Sequence, residues 1–214
     1  KVVISDMIVI SGYKKIPDVV IKDLVDGVES DLKDKIQFNT VKELLVYSYR
    51  VAGTVGLMMA KILNVSDKRA LKGAIDLGIA MQLTNISRDV VEDYKMNREY
   101  IKDDFESIKS TLKLADMFYE SSFSSLKKIP IRYRFAIIVA RRVYRQIGIE
   151  IIKKKNIENY KRSGKIYVDN FGKITQTILS FVDLIKLFFI KIESHQRSQE
   201  HDIIKSEINL NERI

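Results

Sequence analysis

The sequence predicts a single all-α domain. Hydrophobic residues recur with the 3.6-residue period of helices over most of the chain, and strand-like alternation is scarce. Only two prolines interrupt 214 residues. Capping residues and a proline mark several of the helix starts. There is no internal repeat, low-complexity tract or interdomain linker. Residues 1–192 therefore read as one helical domain, and residues 193–214, polar and without Gly or Pro, as a frayed or disordered tail.

Taken in order, Val19 to Leu32 forms a first amphipathic helix, entered after Pro17 and Asp18. Thr40, with Glu43 three residues on, is a capping box that opens a second helix. This helix runs through Leu44, Leu45 and Tyr47 into the small-residue stretch Val51-Ala-Gly-Thr-Val-Gly56. Ser66 opens a third, from Lys68 to Tyr94, and a fourth covers Phe105 to Leu126. Pro130 introduces a fifth, from Tyr133 to Lys154, and a sixth runs from Lys173 to Ile192. Within Ile178 to Ile192, Asp183, Lys186 and Lys191 interrupt an apolar run too short and too charged to span a bilayer. Its near-continuous apolarity predicts the last core helix. The competing reading places Leu184, Ile185, Leu187, Phe188 and Phe189 in a membrane interface beside the lysines.

Thirty-seven Lys and Arg against 28 Asp and Glu leave a net charge of +9, which points to an anionic partner. No nucleic-acid module or concentrated basic arm is present, so a polyphosphate or an acidic lipid fits better than nucleic acid. The absence of Cys excludes disulfides, thiolate ligands and a cysteine nucleophile. No secretory signal is visible, and a cytoplasmic protein, at most peripheral to a membrane, is expected. Both histidines, His195 and His201, fall in the tail and read as surface residues.

The chemistry concentrates in Gly78 to Asp93. At 100° per residue, Gln82, Asn85, Asp89 and Asp93 lie within about 80° of one another, with Arg88 and Glu92 flanking. Two carboxylates at i and i+4 repel on a bare helix. A hard divalent cation gives them a reason to be there, because Mg²⁺ is held by one or two carboxylates together with substrate phosphates. Gln82 and Asn85 could then bond phosphate or metal-bound water, and Arg88 could pair with phosphate oxygens. The plainer reading is a solvated polar face; the matched Gln, Asn and Arg favour the metal–diphosphate one.

In Tyr47 to Gly56, two glycines within a helix cost about 1 kcal/mol each relative to Ala. Ala52 and Gly56 stack at i, i+4 and clear a groove for a neighbouring helix or for a long apolar ligand. A break near Gly53 would expose backbone carbonyls to that groove.

Tyr47-Ser-Tyr-Arg-Val-Ala-Gly-Thr-Val-Gly-Leu-Met-Met59, followed by Leu77 to Asp93, resembles the squalene/phytoene synthase family. Asn97 to Ile101 is similar to that family's Arg-x-Tyr segment, and Lys165 to Val168 with Lys173 to its next basic segment. Ala136 to Gly148 resembles the phytoene-synthase branch. The likeness covers about residues 10 to 190. It implies an isoprenoid-synthase fold, with helices around a central cavity. The activity implied is condensation of two geranylgeranyl diphosphates to phytoene through a cyclopropyl diphosphate in carotenoid biosynthesis. That reaction uses Mg²⁺ or Mn²⁺ and no NADPH. By matching motif, Asp89 and Asp93 would bind metal, and Gln82, Asn85 and Arg88 diphosphate or metal-bound water. Tyr47 and Tyr144 would be cavity tyrosines of the reaction, with Arg88 acting on the leaving group. Ala52, Val55 and Gly56 would line the prenyl channel.

The family's first aspartate-rich motif has no counterpart in this sequence, since Asp6, Asp18, Asp23 and Asp26 do not reproduce its spacing. The expectation is a chain lacking the N-terminal helices, with weakened metal affinity and poor ionisation of substrate when alone. Squalene or dehydrosqualene synthesis is the neighbouring alternative. A noncatalytic, membrane-associated binding protein is the alternative from another class.

Overall fold

The computed structural model describes residues 2–190 and 199–214, and these are almost wholly helical. Helix α1 spans Val2–Lys14 and α2 Asp18–Ser30. Helix α3, Val41–Ser48, continues through a π-helical turn, Tyr49–Gly53, into α4, Thr54–Ile62. The long α5, Lys68–Lys95, is followed by α6, Phe105–Phe123, and a 3₁₀ turn, Ser124–Lys128. Helix α7 spans Ile131–Ile152, α8 Ile157–Arg162 and α9 Asn170–Phe189. Two short helices, α10 (Gln199–Lys205) and α11 (Leu210–Arg213), end the chain.

The predicted capping box forms: Thr40 accepts from the Glu43 N–H, while the Glu43 carboxylate accepts from the Thr40 N–H at 2.9 Å. Helix α5 is capped by Asp67, whose carboxylate accepts from the N–H groups of Arg69 and Ala70. It is the central element. Its apolar residues Leu71, Ile75, Ile79, Leu83 and Ile86 are buried, and α4, α6 and α7 pack around it. Two glycines decide how closely. A Cβ on Gly56 would overlap the Ala74 carbonyl, and one on Gly78 would overlap the Ala52 carbonyl. Backbone therefore meets backbone where α4 crosses α5.

Four features depart from expectation. A short parallel pair, β1 (Ile36–Gln37) with β2 (Arg98–Glu99), joins segments that carry no strand pattern. The helix through Gly53 is not broken but widened by one residue, so that the Thr54 N–H donates to the Tyr49 carbonyl. Helix α9 is not a core helix. It turns Ser180 and Asp183 inward and leaves Phe171, Ile178, Phe181, Ile185 and Phe189 exposed, with Leu187 as its buried apolar anchor. The inward face is held by polarity: Arg142 on α7 donates to Asp183 at 2.6 Å and to Gln176 at 3.0 Å.

The last correction concerns the tail. Residues 199–214 pack on the domain, burying Ile204, Ile208 and Leu210, three apolar residues hidden in a polar sequence. His201 is no surface residue; its imidazole sits 2.9 Å from Asp76 and against the Phe118 ring. Arg213 bonds Asp23 at 2.9 Å. His195, Lys191, Ile192 and the first residues of the expected tail lie outside the described residues.

Candidate active site

The C-terminal half of α5 carries the polar face. Tyr160 on α8 holds it in place, donating to the carbonyls of Ser87 (3.0 Å) and Arg88 (2.8 Å). On that face the Arg88 guanidinium forks onto Asp89, with Nε to Oδ1 at 2.8 Å and Nη2 to Oδ2 at 2.6 Å. Lys165 approaches the same carboxylate at 3.1 Å. Burial works to raise the Asp89 pKa, but the Arg88 and Lys165 contacts outweigh it and hold the carboxyl below its ordinary value. Asp93, one turn on, behaves oppositely. Burial, then the charge of Asp89, push it up to about 6, with Arg98 offsetting part of the rise.

A second polar cluster adjoins. Tyr47 is buried, stacked on Tyr100 with ring centroids 4.8 Å apart. Its hydroxyl donates to Asp31 at 2.9 Å and lies 3.1 Å from the Tyr100 hydroxyl, which itself donates to Asp31 at 2.8 Å. Burial raises the Tyr47 phenol well above its ordinary range, so it acts as a neutral donor. Asp31 is close enough that its charge adds to the upward push on Asp93. Tyr144 is half-buried between the two apolar clusters of the core, and its phenol acts electrostatically on Arg88.

An apolar cavity of about 590 Å³ runs between α4, α5 and α7. Ala52, Val55 and Gly56, the three residues expected to line a prenyl channel, line it, and so do Gln82 and Asn85, the amides expected to face diphosphate. Gly56 also serves the close helix crossing, as the packing reading expects. The cavity thus begins beside the carboxylate face and continues as a tube of small and aliphatic side chains.

The family model described as squalene/phytoene synthase matches residues 9–105. The 15-cis-phytoene synthase of Paracoccus sp. (strain N81106 / MBIC 01143) is 35% identical over 65% of this chain and 51% of its own length. In sequence the chain is similar to the squalene/phytoene synthase family. Within it, the likeness runs to phytoene synthases: the chloroplastic phytoene synthase of Daucus carota is 29% identical over 75% of this chain and 46% of its own. A solved dehydrosqualene synthase in complex with ligand superposes with a TM-score of 0.63 at 27% identity, covering 80% of this chain and 67% of that one. The fold is therefore the helical terpenoid-synthase fold. The chain spans about half the length of the curated relatives it matches.

Among the described residues no group of three or more carboxylates or imidazoles could hold a metal by itself. The donor set nonetheless fits a hard divalent cation shared with phosphate. Asp89 and Asp93 offer carboxylates one turn apart on α5, and the buried Asn85 Oδ1 on the same face lacks a hydrogen-bond partner. Asp31 was not foreseen as part of the site. It reaches Tyr100 across 69 residues of sequence through the β1–β2 pairing, and no local pattern encodes that meeting.

Proposed function

We propose that this chain forms the second-carboxylate half of a synthase that condenses two geranylgeranyl diphosphates head to head into phytoene, in carotenoid biosynthesis. One observation carries the reading: a 590 Å³ apolar tube ends at Gln82 and Asn85, next to a face of Arg88, Asp89 and Asp93. A diphosphate and a prenyl chain need that adjacency.

Arg88 and Lys165, which neutralise Asp89 in the free protein, are placed to transfer to diphosphate oxygens and bind them as charge-assisted donors. Asp89 and Asp93 would hold the divalent cation, Mg²⁺ or Mn²⁺, assisted by the unpaired Asn85 oxygen. That cation would supply charge neutralisation for the departing diphosphate. When the allylic C–O bond ionises, its electron pair leaves with diphosphate, and the cation left behind would lie among Ala, Val, Leu and Met side chains that offer it no nucleophile. Tyr144, whose phenol acts electrostatically on Arg88, would offer an aromatic face to the developing positive charge. Tyr47, held by Asp31 and Tyr100, would contribute a neutral hydroxyl near the carboxylate face.

Incubation with radiolabelled geranylgeranyl diphosphate and Mg²⁺, followed by lipid extraction and chromatography, tests this for the chain and for the full-length protein carrying it. Phytoene from the full-length protein supports the reading. Hydrocarbon only from farnesyl diphosphate would replace it with dehydrosqualene or squalene synthesis, which the structural neighbour favours. No hydrocarbon from either substrate would promote the noncatalytic alternative.

No described helix is long and apolar enough to cross a membrane. Peripheral contact is supported by the outward face of α9, an apolar stripe flanked by Lys173 and Lys186, since the forty-carbon product must enter a lipid phase. Flotation with anionic liposomes checks it. Equal retention of the wild type and a Phe181→Ser/Phe189→Ser variant would sink the idea.

A further inference from the structure

The cavity has an orientation that follows from chain order. Its polar end lies at Gln82 and Asn85. Its other end is at the α4–α5 turn, because α4 runs antiparallel to α5 and Leu63, just past α4, lines the same cavity as Ala70, in the first turns of α5. The 3₁₀ turn after α6 returns to that end. Lys128 reaches Asp67, the N-cap of α5, at 3.6 Å, and a Cβ on Gly73 would overlap Ser125. Leu126, Ile129 and Tyr133 then close the tube on the α7 side.

Along α5 the lining positions are Asn85, Met81, Leu77–Gly78, Ala74 and Ala70, one per turn. From Asn85 to Ala70 is about four turns, roughly 22 Å of helix rise. An extended isoprene unit spans about one helical pitch, ~5 Å, so each turn of α5 faces one unit. The last two turns present alanine, and Ala74 cannot retreat: its carbonyl is clamped against Gly56, where no Cβ fits. A larger side chain at position 74 must fill the tube rather than shift the helix.

We propose that Ala74, with Ala70 at the far end, sets the length of the prenyl chain this cavity accepts at four isoprene units. Ala74 leaves room for the fourth unit, and Ala70 and Leu63 stop a fifth. This inference rests on the reading of the site as a prenyl diphosphate site.

The experiment measures kcat/KM of the full-length protein for the fifteen-, twenty- and twenty-five-carbon substrates, farnesyl, geranylgeranyl and geranylfarnesyl diphosphate. It also measures binding of their non-ionising thiodiphosphate analogues, in the wild type and in Ala74→Leu, Ala70→Val and Leu63→Ala. The wild type is expected to favour the twenty-carbon chain. Ala74→Leu should lower the twenty-carbon to fifteen-carbon ratio by about tenfold or more while farnesyl diphosphate is still used. Leu63→Ala should keep the twenty-carbon substrate and gain a twenty-five-carbon one. Parallel loss of both substrates in a variant that melts like the wild type, or an unchanged ratio, would overturn the ruler. Were Ala74→Leu unable to fold, Ala70→Val decides by a fall in the same ratio, and Leu63→Ala by whether the twenty-five-carbon substrate is used. Binding without turnover in the wild type would remove the synthase reading alone, and the binding ratio would then decide the ruler. Neither binding nor turnover would overturn both.

Discussion

At the scale of residues, Asp89 and Asp93 sit one turn apart yet differ in charge economy. Asp89 keeps its charge because Arg88 and Lys165 face it, whereas Asp93 lacks so close a cation and is pushed up to about 6. A carboxyl raised on folding favours the folded state while it is protonated. Its contribution is fully present below the unfolded value near 3.8 and is lost as pH rises through about 6. The metal-free protein should accordingly melt lower at pH 7 than at pH 5 on account of this group. Asp93→Asn should stabilise it at pH 7 by about 1 kcal/mol, a figure reduced for solvent screening, and hardly at all at pH 4. Scanning calorimetry of both proteins at the two pH values checks it, and an equal effect at both would refute it. The Asp31 carboxylate is satisfied differently, by two tyrosine hydroxyls. Tyr100→Phe should cost about 1.5–3 kcal/mol in denaturant unfolding, since it removes a hydrogen bond to a charged group.

At the scale of elements, the α4–α5 crossing is set by two glycines facing two carbonyls. Gly78→Ala places a Cβ against the Ala52 carbonyl and should destabilise by about 1–3 kcal/mol, despite the better helix propensity of alanine. Urea titration reads the loss, and a neutral or stabilising result would mean that the helices separate without cost. Elements of this kind were legible in the sequence because their signals are local. The capping box at Thr40, the span of α5 and the carboxylate face with Gln82, Asn85 and Arg88 all follow from residues within a few turns of one another. What was not legible depends on partners far along the chain. Nothing near Asp31 announces Tyr100, and the two-residue strands that join them are too short to alternate. Helix α9 misled for another reason. Its apolarity is real, but Arg142 and Gln146 on α7 select its polar side for burial, a choice made by the partner helix.

At the scale of the whole molecule, the C-terminal segment ties distant parts together. Its sequence is polar enough to read as a tail, yet Ile204, Ile208 and Leu210 are spaced to bury together, and two ionisable contacts anchor its ends. His201 meets Asp76 on α5, whose other oxygen accepts from Ser121 on α6 at 2.6 Å. Arg213 meets Asp23 on α2, which also accepts from the buried Tyr49 hydroxyl at 2.9 Å. Tyr49 begins the π-helical turn behind the cavity wall, so the final residues of the chain brace the wall from outside. Removing Arg213 would leave Asp23, a buried carboxylate, with Tyr49 but without its cation. Breaking such a pair from one side costs about 3–5 kcal/mol, whereas trimming an exposed pair such as Lys42 with Glu207 costs under about 1 kcal/mol. Arg213→Ala should therefore lower stability several-fold more than Lys42→Ala in the same urea titration, and hydrogen exchange should quicken first in the Tyr49–Gly53 turn. A frayed tail would give the two variants the same small effect, so their difference decides whether the C-terminus belongs to the cavity's architecture.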